Sequence, residues 1–594
     1  MTDNSSHPDA ARSGRPALWR RHSGWLIFLL FLILLKIPEL TNLSAVIHPD
    51  DINANYHGMK MLQNYLDPDF FVYNHLVFYF GLAANLLVAI PALASGAVSG
   101  ADDFYFLFLT RPDVFFLANR VLFALVLFAL VYSTYRLILT ASGSRLNALL
   151  ATVFVSTNIG IYAHSYVTKP NLPGLLALVL LCLMLLRYDR ENRSRYLLLA
   201  AFFAATAFSA KITYGISFVI LGTWLLFHRE IAPGRRLLVL AGAGLFSFLL
   251  NPWLFIRFRD WLHNLKTLSN QVSQTTELPP FHALGDLVLH YMPQTWSVLP
   301  CLVLGLLALY WIGDCLRDRR RPVLWFVLPA LFIWSLYFGT RNYSSYRYFL
   351  PLMAFLPLLV FADIRLPVTG RRGRVWLVAS AITMTTLTVH LTGFSMVLSA
   401  PTTNALAGRW IKEHIPAGAI LTVDGQDVST RDHFRCPNPA PDAESLAASG
   451  LPPASKKRQV FQQKIDQGIL KPVYRLHSFQ DVHHQPARAE QSIRDSDFVI
   501  LCNSTAWMHS HPNSSFAWHG EQKGEIRRQT KALDEFLHRE GFELIRTFQS
   551  DVPFISPVAY IFPEYYRLTG VQQVGPDVKI FRNPRSVHMP GDVH

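Results

Sequence analysis

Two adjacent aspartates, Asp50 and Asp51 in the segment IHPDDINANYHG, follow the first apolar segment of the chain. Carboxylates beside the apolar end of a membrane helix are costly unless they serve in coordination or proton transfer. A basic and aromatic segment, RNYSSYRY at 341–348, lies far away in the sequence at an equivalent membrane edge. A carboxylate base and an arginine-rich anion site on one membrane face indicate chemistry on a lipid-linked phosphate. The acidic pair also suits a helix N-cap, a role that is compatible with catalysis.

The composition is typical of a membrane protein. Only 16% of the 594 residues are charged and 51% are hydrophobic, whereas a soluble domain carries about 25% charged residues. Several nearly uncharged runs reach roughly 17 residues or more, enough to cross about 30 Å of hydrocarbon, and they lack the polar faces of a large soluble core. The net charge of +14 falls mainly in short loops between these runs, so membrane topology explains it without a nucleic-acid partner.

The basic loops predict the orientation of the chain. By the positive-inside rule, the loops near 12–21, 136–145, 187–195, 229–236, 317–321 and 365–374 are cytoplasmic. The first apolar segment is a retained anchor, because it runs into Lys36 and Glu39 without a small-residue cleavage site. A cytoplasmic tail (1–23), a transmembrane domain (24–398) and an external domain (399–594) follow from this orientation. Eleven crossings are predicted, at 24–41, 117–137, 147–165, 172–187, 196–210, 213–227, 237–255, 298–313, 323–339, 348–363 and 375–397.

One further apolar segment, Val77 to Val98, does not fit this scheme. It is long enough to span, but counting it would move every later basic loop to the outside. We therefore predict that residues 55–100 form external structure that lies along the membrane or re-enters it, with Pro91 breaking the helix. A twelfth crossing with an unusual topology is the alternative.

The last third of the chain alternates between predicted helices and strands, which indicates a small α/β domain. The helix-like segments are LAGRWIKEHI and TKALDEFLHREGF, and the strand-like ones are AILTVDG, DFVILCN, ELIRTFQ and VKIFRNP. The polar, Pro-rich stretch at 437–459 predicts a mobile loop. The domain has no glycine-rich phosphate loop or nucleophile elbow, so we predict a supporting role. Cys436 and Cys502 could pair in an oxidising compartment, but nothing in the sequence pairs them.

In this topology many cations gather at the external membrane edge. Together with the acidic pair they predict an electropositive bowl, suited to a diphosphate or phosphodiester head group. Some of them have simpler explanations: Arg257 and Arg259 could snorkel from a helix end, and Lys169 could be a solvated loop charge. Lys211 and Arg347 are harder to explain in this way. The set comprises His57, Lys60, His164, Lys169, Lys211, Arg257, Arg259, Arg341 and Arg347.

The order of these features resembles the GT-C glycosyltransferases, in particular the branch with protein O-mannosyltransferases and lipid A aminoarabinose transferases (family 39-like). HPDD stands where relatives have HPDE, and NRVLFALVLFALVYSTYRL precedes a small cytoplasmic turn. IYAHSYVTKPNLPGLLALVLLCLMLLR, AAFFAATAFSAKITYG and SSYRYFLPLMAFLPLLV resemble later segments of the family. The resemblance covers roughly residues 24–365 and is weaker in the external domain.

This resemblance implies transfer of a sugar from a polyprenyl-phosphate donor at the external leaflet, with inversion and no covalent intermediate. Asp50 matches the general base of the family, and Asp51 stands where relatives often have glutamate. Lys211 and Arg347 are implied contacts to the donor phosphate, with Lys169 and Arg341 as further candidates. The remaining expected site residues, which bind or position the acceptor, are His57, His164, Asn171 and Tyr346.

One residue departs from the family pattern. Relatives often carry a second acidic residue in the loop where this chain has Asn171, and an amide cannot take a proton or bind a metal strongly. This departure favours Asp50 and Asp51 as the base, and it leaves open a catalytically weak member or one that uses another acid. Asp102, Asp103 and Asp113 are weaker external candidates for a second acid. We expect no cofactor and no metal site, because the histidines at 483, 484, 509 and 511 lack a supporting carboxylate array.

These observations predict a bacterial inner-membrane glycosyltransferase of the GT-C fold, with about eleven transmembrane helices, a cytoplasmic N-terminus and an external (periplasmic or extracellular) α/β domain. Its partners would be the bilayer, a polyprenyl-phosphate sugar and a glycan, glycolipid or protein acceptor. A transporter or a lipid-scaffolding subunit is the alternative, although a transporter would place ionisable residues at the bilayer midplane. A ligase or phosphotransferase acting on the same carriers is a second alternative.

Overall fold

A computed structural model of the chain describes its helical part almost continuously and the last third in pieces. The described residues comprise 18–41, 51–71, 73–166, 168–273, 281, 284–285, 287–318, 322–339, 346–364, 370–401, 403–424, 456–468, 475–479, 486–502, 532–533, 535–549, 552–553, 574–575 and 578–586. Helices dominate up to residue 414, and a small sheet lies beyond it. The predicted class, a polytopic helical domain followed by an α/β region, is confirmed.

The α-helices of the described residues up to 399 fall into an early juxtamembrane group and a long series of apolar helices. They are α1 (Leu18–Thr41), α2 (Asp51–Gln63), α3 (Leu76–Ala94), α4 (Ala101–Thr110), α5 (Pro112–Ser142), α6 (Arg145–Thr157), α7 (Ile159–Ala163), α8 (Asn171–Glu191), α9 (Ser194–Ala210), α10 (Ile216–Phe227), α11 (Pro233–Leu250), α12 (Pro252–Ile256), α13 (Phe258–Ser273), α14 (Met292–Trp296), α15 (Val298–Arg317), α16 (Leu328–Gly339), α17 (Leu350–Asp363) and α18 (Gly370–Ser399).

Seven of the described helices are long and apolar enough to cross a membrane: α1, α3, α5, α8, α11, α15 and α18. Five shorter apolar helices accompany them, at 145–157, 194–210, 212–227, 325–339 and 350–363. Eleven of these twelve helices coincide with the predicted crossings, and the twelfth is α3. By the length and composition of its helices the chain is a multi-pass membrane protein.

Helix α3 corrects one prediction. Pro91 does not break it, because the helix continues through the proline to Ala94 and ends there at a cap on Ser95. A proline is tolerated in a membrane helix, because neighbouring groups and local adjustments of the helix satisfy the backbone groups that it frees. The helix therefore has 19 residues and is as able to span as its neighbours. The surface position of residues 55–100 stays a prediction, and so does the alternative crossing.

The core of the helical domain lies around α8. This helix is buried on nearly all sides by α5, α9 and their neighbours, whereas α1, α11 and α15 expose large apolar side chains such as Leu34, Leu238 and Leu306. Exposed leucines on long helices are expected where lipid replaces water as the solvent. Helix α6 packs against α17 and α18 at the other side of this core.

A five-stranded sheet and three helices form most of the described C-terminal region. Strands β1 (Ile420–Asp424), β2 (Arg475–Phe479) and β3 (Phe498–Cys502) are parallel in the order β2-β1-β3. Strands β7 (Val578–Arg582) and β4 (Glu543–Phe548) continue the sheet antiparallel. A separate two-stranded sheet joins β5 (Val552–Pro553) and β6 (Val574–Gly575), and the helices are α19 (Thr403–His414), α20 (Lys456–Asp466) and α21 (Pro486–Arg494).

The predicted strands at β1, β3, β4 and β7 are confirmed, and β2 was not predicted. One face of the sheet packs Leu421, Ile500 and Ile580 against Ile411 of α19. The predicted loop at 437–459 is wrong at its end, because α20 already begins at Lys456. Basic and amide residues such as KKRQ are good helix formers, so composition alone misled the prediction there. The domain boundary near 399 stays a prediction.

Candidate functional site

The turn between α6 and α8 carries three predicted site residues. Helix α6 stops at Asn158, whose side-chain Oδ1 accepts from the Ile161 backbone N–H at 3.1 Å and caps α7. The same side chain donates from Nδ2 to Thr295 Oγ1 at 3.0 Å, which anchors the turn to α14. His164 then ends α7, and α8 begins at Asn171. The capped break therefore presents His164, Lys169 and Asn171 at one end of the helices.

Four predicted residues from three distant segments meet there; we name His164, Asn171, Lys211 and Arg347 the basic cluster. Lys211 Nζ donates to Asn171 Oδ1 at 3.3 Å, and Asn171 Nδ2 lies 3.2 Å from His164 Nε2. Since an amide N–H can only donate, His164 presents Nε2 as the acceptor. Lys211 Nζ lies 4.8 Å and the Arg347 guanidinium carbon 5.2 Å from the centre of the Tyr348 ring.

Packing beneath the basic cluster holds its two cations in place. Lys211 is extended at the end of α9, and the following short 3-10 helix places Tyr214 against α8. Gly174 allows this approach, because an added Cβ would lie 3.0 Å from the Tyr214 ring. Tyr348 accepts from Trp334 Nε1 through its carbonyl oxygen at 2.6 Å and stacks on Phe338. The cations are therefore fixed by aromatic neighbours.

The other predicted site residues are placed less completely. Lys169 is buried in the turn of the basic cluster, two residues before Asn171. Asp51 begins α2 and Tyr346 begins a 3-10 helix, and the structure describes only the backbone of these two residues. Asp50 and Arg341 lie outside the described residues. Their predicted roles stay predictions.

His57 lies within a local packing arrangement of the juxtamembrane segment. Its Nδ1 lies 2.8 Å from the Pro68 carbonyl oxygen, and its ring centre lies 4.3 Å from that of Phe70. The side chain is buried, with 3% of its surface exposed. These contacts pin α2 to the loop that follows it, and the predicted role at the acceptor stays a prediction.

Arg257 belongs to a separate ionic cluster, which we name the arginine clamp: Arg257, Asp67, Asp69 and Asp260. Its guanidinium lies 3.0 Å from Asp67, 2.9 Å from Asp69 and 2.8 Å from Asp260. Hydrogen bonds to Asp69 and Asp67 raise the pKa of Arg257, and the bond from Arg257 lowers the pKa of Asp69. Arg257 is therefore engaged by three carboxylates, unlike the snorkelling or phosphate-binding cation that the sequence suggested.

Two of the alternative acids are also engaged in ion pairs. Asp113 pairs with Arg111 at 3.2 Å in the first turn of α5. Asp103 of α4 binds Lys464 of α20, and hydrogen bonds from Lys464 and Ser99 lower the pKa of Asp103 to about 2. This second pair joins the juxtamembrane segment to the C-terminal region. Among the described residues, no three His, Cys, Asp or Glu side chains group in a way that could hold a metal ion.

A buried ionic network beside the basic cluster was missed by the sequence analysis. Glu39 at the end of α1 accepts from Lys36 Nζ at 2.6 Å and from the Tyr162 hydroxyl at 2.7 Å. Lys36 Nζ also lies 3.6 Å above the centre of the Tyr162 ring. Glu39 is fully buried. Tyr162 stands two residues before His164, so this network holds the turn of the basic cluster against α1. Charged residues at the end of an apolar segment were the available signal.

Arg120 makes a second contact between a buried cation and a tyrosine ring. It is almost fully buried in α5, and its guanidinium carbon lies 4.0 Å above the centre of the Tyr166 ring. Arginine stacked on an aromatic ring is a favourable desolvated arrangement. The two tyrosines that flank His164 in IYAHSYVTK are thus both held by cations from other helices.

Comparisons with known proteins agree with the predicted resemblance. Residues 107–256 match the family of dolichyl-phosphate-mannose-protein mannosyltransferases. No curated protein matches the chain. Among solved structures, ArnT from Cupriavidus metallidurans bound to undecaprenyl phosphate aligns with 96% of this chain and 100% of its own, at 11% identity and a TM-score of 0.49. The arabinofuranosyltransferase AftD from mycobacteria aligns with 96% of this chain and 40% of its own, at 12% identity and a TM-score of 0.42.

The family match alone supports the predicted resemblance. Both structural alignments have TM-scores below 0.5 and add no argument. The family match spans about a quarter of the chain, from α4 to α12, and the proteins of the matched family are glycosyltransferases. The predicted resemblance to protein mannosyltransferases is thereby confirmed over the segment that holds His164, Lys169, Asn171 and Lys211.

Proposed function

We propose that this chain is a membrane glycosyltransferase that moves a sugar from a polyprenyl-phosphate donor to an acceptor, with inversion at the sugar carbon. The observation that carries the proposal is the basic cluster. Residues from α7, α8, the end of α9 and the segment before α17 meet at one end of the helices. Three of the four lie in the segment matched by a family whose description names a dolichyl-phosphate sugar.

The basic cluster suits a phosphate that leaves with negative charge. Lys211 offers a compact ammonium and Arg347 a planar fork of donors, the two groups that proteins use most for phosphate. Both contact Tyr348, so they lie on one ring rather than at separate places. Fixed donors aimed at developing charge stabilise a transition state more than mobile ones do. The cluster would therefore hold the donor phosphate while the bond from the sugar to that phosphate breaks.

Asn171 organises this cluster without taking part in proton transfer. Its Oδ1 accepts from Lys211 and its Nδ2 donates to His164, which fixes the orientation of both groups. An amide side chain does not titrate near neutral pH, so it cannot act as a general base. A general base must therefore come from elsewhere, and Asp50 is the candidate, with Asp51 beside it at the start of α2.

The proposed reaction needs one base and one stabilised leaving group. Asp50 takes the proton of the acceptor hydroxyl as its oxygen attacks the anomeric carbon from the face opposite to the phosphate. The bond to the phosphate breaks, and its electron pair remains on the phosphate oxygen beside Lys211 and Arg347. We place this reaction at the external face of a bacterial inner membrane, with the N-terminus in the cytoplasm, following the positive-inside rule.

The experiment is transfer from a radiolabelled polyprenyl-phosphate sugar by the purified protein in lipid nanodiscs. We expect Asp50→Asn to abolish transfer and to retain donor binding. The exposed Lys266 on α13 provides a control, since Lys266→Met should leave transfer unchanged. Unaltered transfer by Asp50→Asn would remove Asp50 from the mechanism. Movement of the labelled lipid across vesicle membranes without any sugar transfer would favour the transporter alternative instead.

A further inference from the structure

Three asparagines from three helices form a buried amide cluster, and each has no exposed surface: Asn55 of α2, Asn85 of α3 and Asn119 of α5. Asn119 Nδ2 donates to Asn55 Oδ1 at 3.0 Å. Asn85 Nδ2 donates to the Asn55 backbone carbonyl at 2.9 Å. Asn55 is thus held by two other helices, once through its side chain and once through its backbone.

Helix α2 is the element that this amide cluster holds, and it begins at Asp51. Asn55 stands four residues later, one helical turn along α2. The helix also lies unusually close to α3, because Gly58 and Gly81 face each other and a Cβ on Gly81 would overlap the Ala54 carbonyl oxygen. Small residues allow membrane helices to approach in this way. The height and rotation of α2 are therefore set by contacts within one turn of Asn55.

The amide cluster is better suited to specifying register than to adding stability. Asn55 Nδ2, Asn85 Oδ1 and Asn119 Oδ1 have no hydrogen-bond partner among the described residues. A buried polar atom without a partner costs about 1–3 kcal/mol, which offsets much of what the two hydrogen bonds contribute. A buried asparagine that costs stability and selects one register is known from coiled coils.

The part of helix α5 that contacts the amide cluster also contacts the turn of the basic cluster. Asn119 is followed by Arg120, whose guanidinium stacks on Tyr166 in the turn that carries His164 and Asn171. Two consecutive residues of α5 therefore contact α2 on one side and this turn on the other. This short piece of α5 therefore connects α2 to the turn of the basic cluster.

We propose that Asn55, Asn85 and Asn119 are positioning residues, which set the height and rotation of α2, the helix that begins at Asp51, relative to the basic cluster. The inference rests on the proposed glycosyltransferase function, since it assigns the acidic pair its task. Displacement of a catalytic group by about 1 Å can cost about 100-fold in rate. Loss of the cluster should therefore lower kcat while the donor phosphate still binds.

The test compares two nearly isosteric substitutions in nanodiscs. For Asn119→Leu we expect kcat to fall about 30-fold, with the KM for the donor changed by less than about threefold. The matched control is Asn147→Leu: Asn147 is an equally buried amide that donates to the Phe361 and Ile364 carbonyls at the opposite end of α17. This control should lose thermal stability and keep kcat.

A second variant and a measurement of donor binding distinguish failure of the positioning role from failure of the proposed function. Asn85→Leu removes only the bond to the Asn55 backbone and should lower kcat about fivefold, again without a change in KM. Equal kcat losses in Asn119→Leu and Asn147→Leu, or a lost donor affinity in Asn119→Leu, would overturn the positioning role. So would failure of both Asn119→Leu and Asn85→Leu to fold while Asn147→Leu folds. A wild-type protein that binds donor but transfers no sugar would instead contradict the proposed function.

Discussion

The basic cluster and the arginine clamp are both built around cations that the sequence places at the same membrane edge. In the clamp, Arg257 binds three carboxylates and is 34% exposed. In the basic cluster, Lys211 contacts an amide oxygen and an aromatic ring. In the clamp, three carboxylates use the arginine to hold loops together, whereas the amide and the aromatic ring orient Lys211 at the end of α9. The sequence can place a cation at the membrane edge, but only the groups that surround the cation distinguish a phosphate site from a structural ion pair.

Removal of Lys211, one of the two cations of the basic cluster, tests this comparison most directly. Lys211→Met should lower kcat/KM about 100-fold, equivalent to about 2.7 kcal/mol of transition-state stabilisation, with little change in the melting temperature. Lys211→Arg keeps the charge and should retain part of the activity. Radiolabelled sugar transfer measures the effect, and Lys412→Met on the exposed face of α19 is the control. Full activity in Lys211→Met would show that the cluster does not bind the donor phosphate.

Substitution in the arginine clamp should lower stability and leave activity nearly unchanged, the reverse of the effect of Lys211→Met. Arg257→Gln leaves the buried Asp67 without its cation, so the free energy of unfolding should fall by about 2 kcal/mol. The values of kcat and KM should stay within about threefold of wild type. The neighbouring, exposed Arg259 is a matched control, and Arg259→Gln should change neither stability nor activity. A selective increase of the donor KM in Arg257→Gln would place this arginine at the donor instead.

The ionic network at the end of α1 provides an intermediate case, because it is structural and yet adjacent to the basic cluster. Tyr162→Phe removes one hydrogen bond to the buried Glu39 and should lower the free energy of unfolding by about 1 kcal/mol. Movement of the turn should also reduce kcat by about threefold. Thermal unfolding and transfer assays measure the two effects, with Tyr132→Phe on the exposed face of α5 as the control. An unchanged melting temperature would contradict the structural role of the network.

Acid pH should weaken the contact between α4 and α20. The pKa of Asp103 is lowered from 3.8 to about 2 by its bonds to Lys464 and Ser99. The contact is therefore fully present above about pH 4 and is lost as the pH falls towards about 2. Hydrogen exchange of 456–466 should rise over this range in wild type, and Asp103→Asn should show the raised exchange already at neutral pH. Asp113→Asn, whose partner Arg111 is local, should resemble wild type; equal exchange in Asp103→Asn and wild type would argue against the contact.

Much of the helical domain could be predicted, because hydrocarbon leaves a backbone no partner except itself. Long uncharged runs therefore had to be helices, and eleven of the twelve apolar helices in the described residues lie where they were predicted. Their lengths were harder to foresee. The predicted crossing at 147–165 ends as a helix at Thr157, since Asn158 caps a new helix with its own side chain. Local side-chain chemistry of this kind overrides hydropathy.

Composition and charge placement are properties of local segments, so they were enough to predict the class of the protein, the apolar helices and the residue types of the basic cluster. The partner of each charged residue depends on how the helices pack. Glu39 meets Tyr162 across 123 positions and Arg257 meets Asp67 across 190, and no local pattern encodes such pairs. A buried charge takes its role from the group it touches, and that group is chosen by how the helices pack.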